Sequence, residues 1–199
     1  MNFFHTSTLA TFALAATMTL ATLASGCGAQ SFNQKLTGRW TSATCEPAGP
    51  NLYVKRDFTL TDASWQLDVG IFNDAACAAK FVGIGVAGPY KVGQDSTAVP
   101  GATEVDYLVS THTVTPASDT AVQTLTQGNC GTGTRTVGQP VDVTQTGCTP
   151  LGIPSVAACP MELDLNKIDG DNLYFGDRTN DLCKARPAKL GTTPVVRAK

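Results

Sequence analysis

Apolar and polar residues alternate with a period of two along much of the chain after residue 38, the pattern of strands that bury one face. Gly38 to Thr44, around Trp40, is the first such stretch. Leu52, Val54, Phe58 and Leu60 share one parity, with Arg56 among them, and Trp65, Leu67, Val69 and Ile71 repeat the pattern after a turn at Thr61-Asp62. Asn73-Asp74 marks the next turn. The strand after it runs from Phe81 to Val92, and its Gly83, Gly85 and Gly88 predict a bend or close packing. Val105, Tyr107 and Val109 continue the alternation on a long strand that ends before Pro116. Asp119 to Gln127 is the one helix predicted, with Ser118 or Asp119 as N-cap and Gly128 as its stop. Gly131 to Pro160, rich in Gly, Thr and Pro, predicts a crosslinked loop. Met161, Leu163 and Leu165 are expected to face Leu173 and Phe175 across an Asp169-Gly170 hairpin turn. Residues 191–199 read as a disordered tail.

The N-terminus follows a different rule. Residues 1–26 contain no Asp, Glu, Lys or Arg, are apolar from Leu9 to Leu23, and end in small residues before Cys27. This is the pattern of an export signal. Its apolar part is shorter than the roughly 20 residues of a membrane-spanning helix. Two cleavage readings fit. Leu23-Ala24-Ser25-Gly26-Cys27 resembles a bacterial lipobox, which makes Cys27 the acylated mature N-terminus and residues 27–35 a tether. Ordinary cleavage after Ala24-Ser25-Gly26 leaves Cys27 as an odd thiol. The lipobox accounts for the unpaired cysteine and places the protein in the cell envelope, anchored to a membrane by lipid; both readings export it.

Six further cysteines, Cys45, Cys77, Cys130, Cys148, Cys159 and Cys183, are spread over the polar remainder. An even set in an exported chain implies three disulfides. Neighbouring pairs are favoured, and Cys159–Cys183 is argued best, because the final hairpin folds these two towards each other. Residues 36–190 suit one domain with its own core. The formal charge of −2 and the absence of a basic cluster outside the C-terminal tail give no case for nucleic acid.

Candidate chemistry is sparse. Gly83-x-Gly85-x-x-Gly88 matches a dinucleotide fingerprint in letters, but Pro89 and Tyr90 follow where a helix is required, so no cofactor is expected. Asp164, Asp169, Asp171, Asp177 and Asp181 lack calcium-loop spacing and read as turn and surface carboxylates. His112, the one histidine after the signal, is expected on a strand surface, and a single histidine supports neither a zinc site nor an assisted nucleophile. No enzyme is expected.

Three stretches carry a family likeness when taken in order. Gly38-Arg39-Trp40 leads to Cys45-Glu46. Pro100-Gly101-Ala102-Thr103-Glu104-Val105-Asp106-Tyr107 precedes an extended strand. Leu173-Tyr174-Phe175-Gly176-Asp177 runs into Arg186-Pro187 and Leu190. Together with Asn73-Asp74 before Cys77 and Thr146-Gly147-Cys148, they make the chain resemble the domain named after the adenomatosis polyposis coli down-regulated protein. That protein is a secreted Wnt antagonist of animals, with bacterial relatives. The resemblance implies a mainly β fold, an antiparallel barrel-like or half-barrel sheet with a short helix, enclosing an apolar cavity. In the animal proteins that cavity is thought to receive the Wnt acyl chain. The candidate wall residues here are Trp40, Phe58, Trp65, Leu67, Val69, Phe81, Tyr107, Val109, Leu163 and Phe175. The reading is a non-enzymatic exported lipoprotein, held to a membrane by its N-terminal lipid, that binds an acyl chain or other hydrophobic ligand. The alternative is a structural or adhesive surface module with a solid core.

Overall fold

A computed structural model describes residues 30–199, so the export signal and Cys27 lie outside the described residues. The elements in chain order are α1 (Phe32–Leu36), β1 (Gly38–Ser42), β2 (Glu46–Gly49), β3 (Leu52–Leu60), β4 (Ser64–Phe72), β5 (Lys80–Asp95), β6 (Thr103–Leu108), β7 (Thr111–Pro116), α2 (Asp119–Gln127), β8 (Val141–Asp142), β9 (Met161–Asp169), β10 (Asn172–Phe175) and β11 (Val195–Arg197). Eight of the strands close an antiparallel barrel in the order β3-β1-β11-β10-β9-β6-β5-β4, with β4 returning to β3. β2 extends the sheet beside β3, while β7 and β8 form a lobe on the lower half of β5.

The alternation of β3 and β4 puts Phe58 opposite Leu67 and Leu60 opposite Trp65 on the inner face. β5 is a single strand of 16 residues whose glycines mark close packing. It changes partner midway. Gly83 to Ala87 pair with β7, and Tyr90 to Val92 pair with β6. The exchange happens at Gly88, where a Cβ would stand 2.0 Å from the Leu108 carbonyl oxygen, so no larger residue fits without opening the sheet. The long strand expected through Val109 is therefore two strands. The chain breaks at Val109-Ser110 to leave one edge region of β5 for another.

The interior has two clusters. In the barrel, Leu36, Trp40, Leu60, Trp65, Tyr90, Val105, Tyr107, Leu173 and Val195 pack together. In the lobe, α2 lays Leu125 on Val82 and Val114, backed by Val141, Val143 and the Cys130–Cys148 disulfide. α2 has the bounds predicted from its sequence, and the Ser118 side chain accepts a hydrogen bond from the Ala121 N–H at its start. The three disulfides are Cys45–Cys77, Cys130–Cys148 and Cys159–Cys183, the neighbouring pairs.

Both ends of the domain differ from expectation. Within the tether, Ser31 and Gln34 form a capping box and start the short helix α1, which plugs one end of the barrel. The Tyr90 hydroxyl donates to Asn33 Oδ1 at 2.6 Å and ties that plug to β5. The tail is ordered as β11. It lies between β1 and β10, and Val195 is fully buried. Arg197 stacks its guanidinium 4.0 Å above the Trp40 ring and donates to the carbonyls of Lys35 and Thr37, satisfying the C-terminal end of α1. Three residues are too few to show a period in sequence, and this is why the strand reads as tail.

Because β11 completes the barrel, Val195→Asp should lower the unfolding free energy by about 3 kcal/mol or more, the cost of an unpaired buried carboxylate. Denaturant titration of the variant with its disulfides intact measures the loss. A shift within 0.5 kcal/mol, the usual scale for surface positions, would mean that the strand does not close the barrel in solution.

Candidate functional site

The end of the barrel opposite α1 is not filled. A cleft of about 500 Å³ opens there, floored by Phe58, Trp65, Leu67, Val86, Tyr107 and Phe175. That volume lies within the range of small-molecule sites, about 300–1,000 Å³. The floor is rigid because its aromatics lock one another. Phe58 and Phe175 stack at 4.4 Å between centroids, and Trp65 meets Tyr107 edge-on at 4.9 Å. Their polar atoms face away from the apolar surface and are satisfied. The Trp65 indole N–H donates to the Leu108 carbonyl at 2.9 Å, and the Tyr107 hydroxyl donates to Asn166 Oδ1 at 2.8 Å. Burial, and behind it the charge of Asp164, pushes the Tyr107 phenol well above its ordinary pKa, so it stays neutral.

Charged residues ring the mouth in two groups. On one side, Arg56 Nη2 lies 2.9 Å from Glu46 Oε2 and donates to the Thr193 carbonyl at 3.0 Å, while the Ser42 hydroxyl holds the other oxygen of Glu46. On the other, Arg178 bridges Glu162 and Asp164, each at 2.9 Å. Asp164 is fully buried. Its Oδ1 accepts from the N–H groups of Leu165 at 2.7 Å and Gly176 at 2.8 Å. A Cβ on Gly176 would collide with that oxygen and with Pro187, so glycine is required for the backbone to reach the carboxylate. Burial nevertheless outweighs these partners and raises the Asp164 pKa.

Of the ten wall candidates, Phe58, Trp65, Leu67, Tyr107 and Phe175 line the cleft. Trp40 is fully buried at the α1 end, where its indole donates to the Leu36 carbonyl at 2.8 Å, and Val109 packs in the same cluster. Phe81 packs against the lobe cluster, and Val69 is half-buried on β4 away from the cleft lining. Leu163 is on the wrong face. Register puts Glu162 opposite Tyr107 and Asn166 opposite Phe175, so β9 turns Glu162, Asp164 and Asn166 inward. Leu163 and Leu165 lie on the outer face, where Arg186 bridges Glu104 and Asp106 and bonds the Asp164 carbonyl, tying the C-terminal loop across the sheet.

Two further expectations change. Asp164 is an interior ligand of Arg178, not a surface carboxylate. His112 is only 5% exposed, because Thr144 and Pro154 of the long loop cover it, and Nδ1 lies 3.2 Å from the Pro154 carbonyl. The mouth residues Glu46, Arg56, Glu162 and Arg178 were not among the sequence candidates. One signal for them exists, a charged Arg56 on the apolar parity of β3. Among the described residues no group of three His, Cys, Asp or Glu side chains could hold a metal ion, and no helix is long and apolar enough to cross a membrane.

The Asp164 shift has a sign that can be measured. A carboxyl with a raised folded-state pKa binds protons more tightly folded than unfolded, so its contribution is fully present below the unfolded pKa and is lost as pH rises through the folded value. Wild-type stability relative to Asp164→Asn should therefore fall with rising pH across the acid range. A difference that grows with pH would show that Arg178 and the two N–H groups outweigh burial.

The family model described as Adenomatosis polyposis coli down-regulated 1 matches residues 19–145, well over half of the 199-residue chain. The matched segment contains β1 to β8, hence half of the disulfide cysteines and the cleft residues Phe58, Trp65, Leu67 and Tyr107. β9, β10 and β11, which close the barrel, follow the matched segment, as do the cleft residues Phe175 and Arg178. On this match, and with a closed antiparallel barrel joined by three disulfides, the chain belongs to the Adenomatosis polyposis coli down-regulated 1 domain family.

Proposed function

We propose that this domain is a non-enzymatic binding module that takes an acyl chain or similar elongated apolar group into the open end of its barrel. The observation that carries the proposal is the cleft of about 500 Å³ at one end of a barrel whose other end is packed and plugged by α1, with the buried aromatics Phe58, Trp65, Tyr107 and Phe175 as its floor. A solid-cored structural module has no need of such an opening. Each buried methylene contributes about 0.8 kcal/mol, so a chain of about eight carbons gains several kcal/mol before ordering costs. The rigid floor keeps those costs low, since its aromatic residues are already fixed by stacking and hydrogen bonds.

A neutral fluorescent acyl ester should bind the purified, delipidated protein saturably at low micromolar concentration. Leu67→Glu, which charges a half-buried wall residue without touching the packed end, should weaken that binding roughly tenfold or more. Absence of saturable binding in a folded protein would favour the structural-module reading.

Export and anchoring belong to the same proposal. Three disulfides fit an oxidising compartment, and the Cys27 lipobox would supply the membrane attachment, since dual acylation gives stable anchoring where a single chain is marginal. Cell fractionation of Cys27→Ser should find the protein released from membranes. Continued membrane association at the wild-type level would rule out the anchor.

A further inference from the structure

The charges at the cleft mouth bear on which amphiphile fits, a question that rests on the acyl-binding reading above. Three carboxylates, Glu46, Glu162 and Asp177, line the cleft against two guanidiniums, Arg56 and Arg178. Asp164 adds a fourth carboxyl directly behind Arg178. Both arginines are already paired with carboxylates of the protein. Arg56 is held by both oxygens of Glu46 and by the Thr193 carbonyl. Arg178 is shared between Glu162 and Asp164. The nearby Lys189 is directed to Asp177 at 3.5 Å. A carboxylate or phosphate arriving at this mouth finds each cation already neutralised by a resident carboxylate, with which it must compete. Leaving Glu46, whose side chain is 10% exposed, without its arginine would strand a nearly buried charge.

We infer that the cleft selects amphiphiles whose polar end is uncharged or cationic, such as an acyl ester or an alkyl amine, and rejects free fatty acids and other anionic amphiphiles of the same chain length. Glu46 and Glu162 act as specificity residues by occupying the arginines. Apolar burial on the aromatic floor is indifferent to the head group, so chain affinity and charge selection come from different parts of the cleft. An opposed charge at a partly exposed site changes affinity by about tenfold at low salt. Added salt screens that difference, because the mouth is open to solvent.

The test displaces the neutral fluorescent acyl ester from the purified full chain carrying Cys27→Ser with three competitors of equal length: dodecanoate, 1-dodecanoylglycerol and dodecylamine. At pH 8 and low ionic strength, the glycerol ester and the amine should compete at concentrations roughly tenfold below that needed for dodecanoate. The gap should narrow in high salt. Glu162→Gln, at a side chain that is one-third exposed and so tolerant of change, should narrow it as well by freeing one side of Arg178. Dodecanoate competing as well as the other two would overturn the inference and leave acyl binding standing. So would a gap unmoved by both salt and Glu162→Gln, since head-group size would then be the cause. Failure of the neutral ester itself to bind would overturn the acyl-binding reading and this one together.

Discussion

Closure of the sheet by β11 is the constraint on which the other features depend. Without those three residues, β1 and β10 would each present an open edge, and the fully buried Trp40 and Leu173 would lie under a gap. Open edges of this kind invite pairing with other chains. The same segment reaches both ends of the molecule. Arg197 caps α1 at the packed end, and the residues just before β11 bring the Thr193 carbonyl to Arg56 at the open end. A strand too short to be stable alone thus sets the geometry of plug and mouth at once.

The barrel divides its interior between two tasks. Its packed half has the dense interdigitation of an ordinary core, with Trp40, Tyr90 and Val105 in one cluster. Its open half leaves a cleft above Phe58, Trp65, Tyr107 and Phe175, which are themselves buried and packed on one another. Polar residues turned inward on β9 separate the two uses. Asp164 and Asn166 are both fully buried, and one amide nitrogen of Asn166 has no partner among the described residues. Buried polar groups of this kind cost stability relative to apolar packing. They also fix register, since sliding β9 by one residue would bury Leu163 correctly but strand Arg178 and the Tyr107 hydroxyl.

The same inversion explains what could be read from the sequence. β3 and β4 follow the simple rule of apolar inside and polar outside, so Phe58, Trp65 and Leu67 were legible as wall residues. α2 carried its own signals in Ser118 and Gly128. On β9 the rule is reversed. Its leucines are covered from outside by the Arg186 loop, which frees the inner face for Glu162, Asp164 and Asn166, and a period-two reading then selects the wrong parity. The mouth was illegible for a related reason. Its ion pairs, Arg56 with Glu46 and Arg178 with Glu162, join residues brought together by the β2–β3 and β9–β10 hairpins, whose register the charges alone do not reveal. Charge alone, without position, reads as surface.

The shared strand β5 has a mechanical meaning. Its lower half belongs to the lobe cluster under α2 and its upper half to the barrel, while β4 runs alongside most of its length. Neither cluster can loosen without disturbing the hydrogen bonds that support the other, so the lobe is a buttress, inseparable from the barrel as a folding unit. The largely exposed stretch 132–140 can change length at little cost, since it lies outside both clusters. The crossing at Gly88 cannot, because both halves of the molecule lean on one glycine.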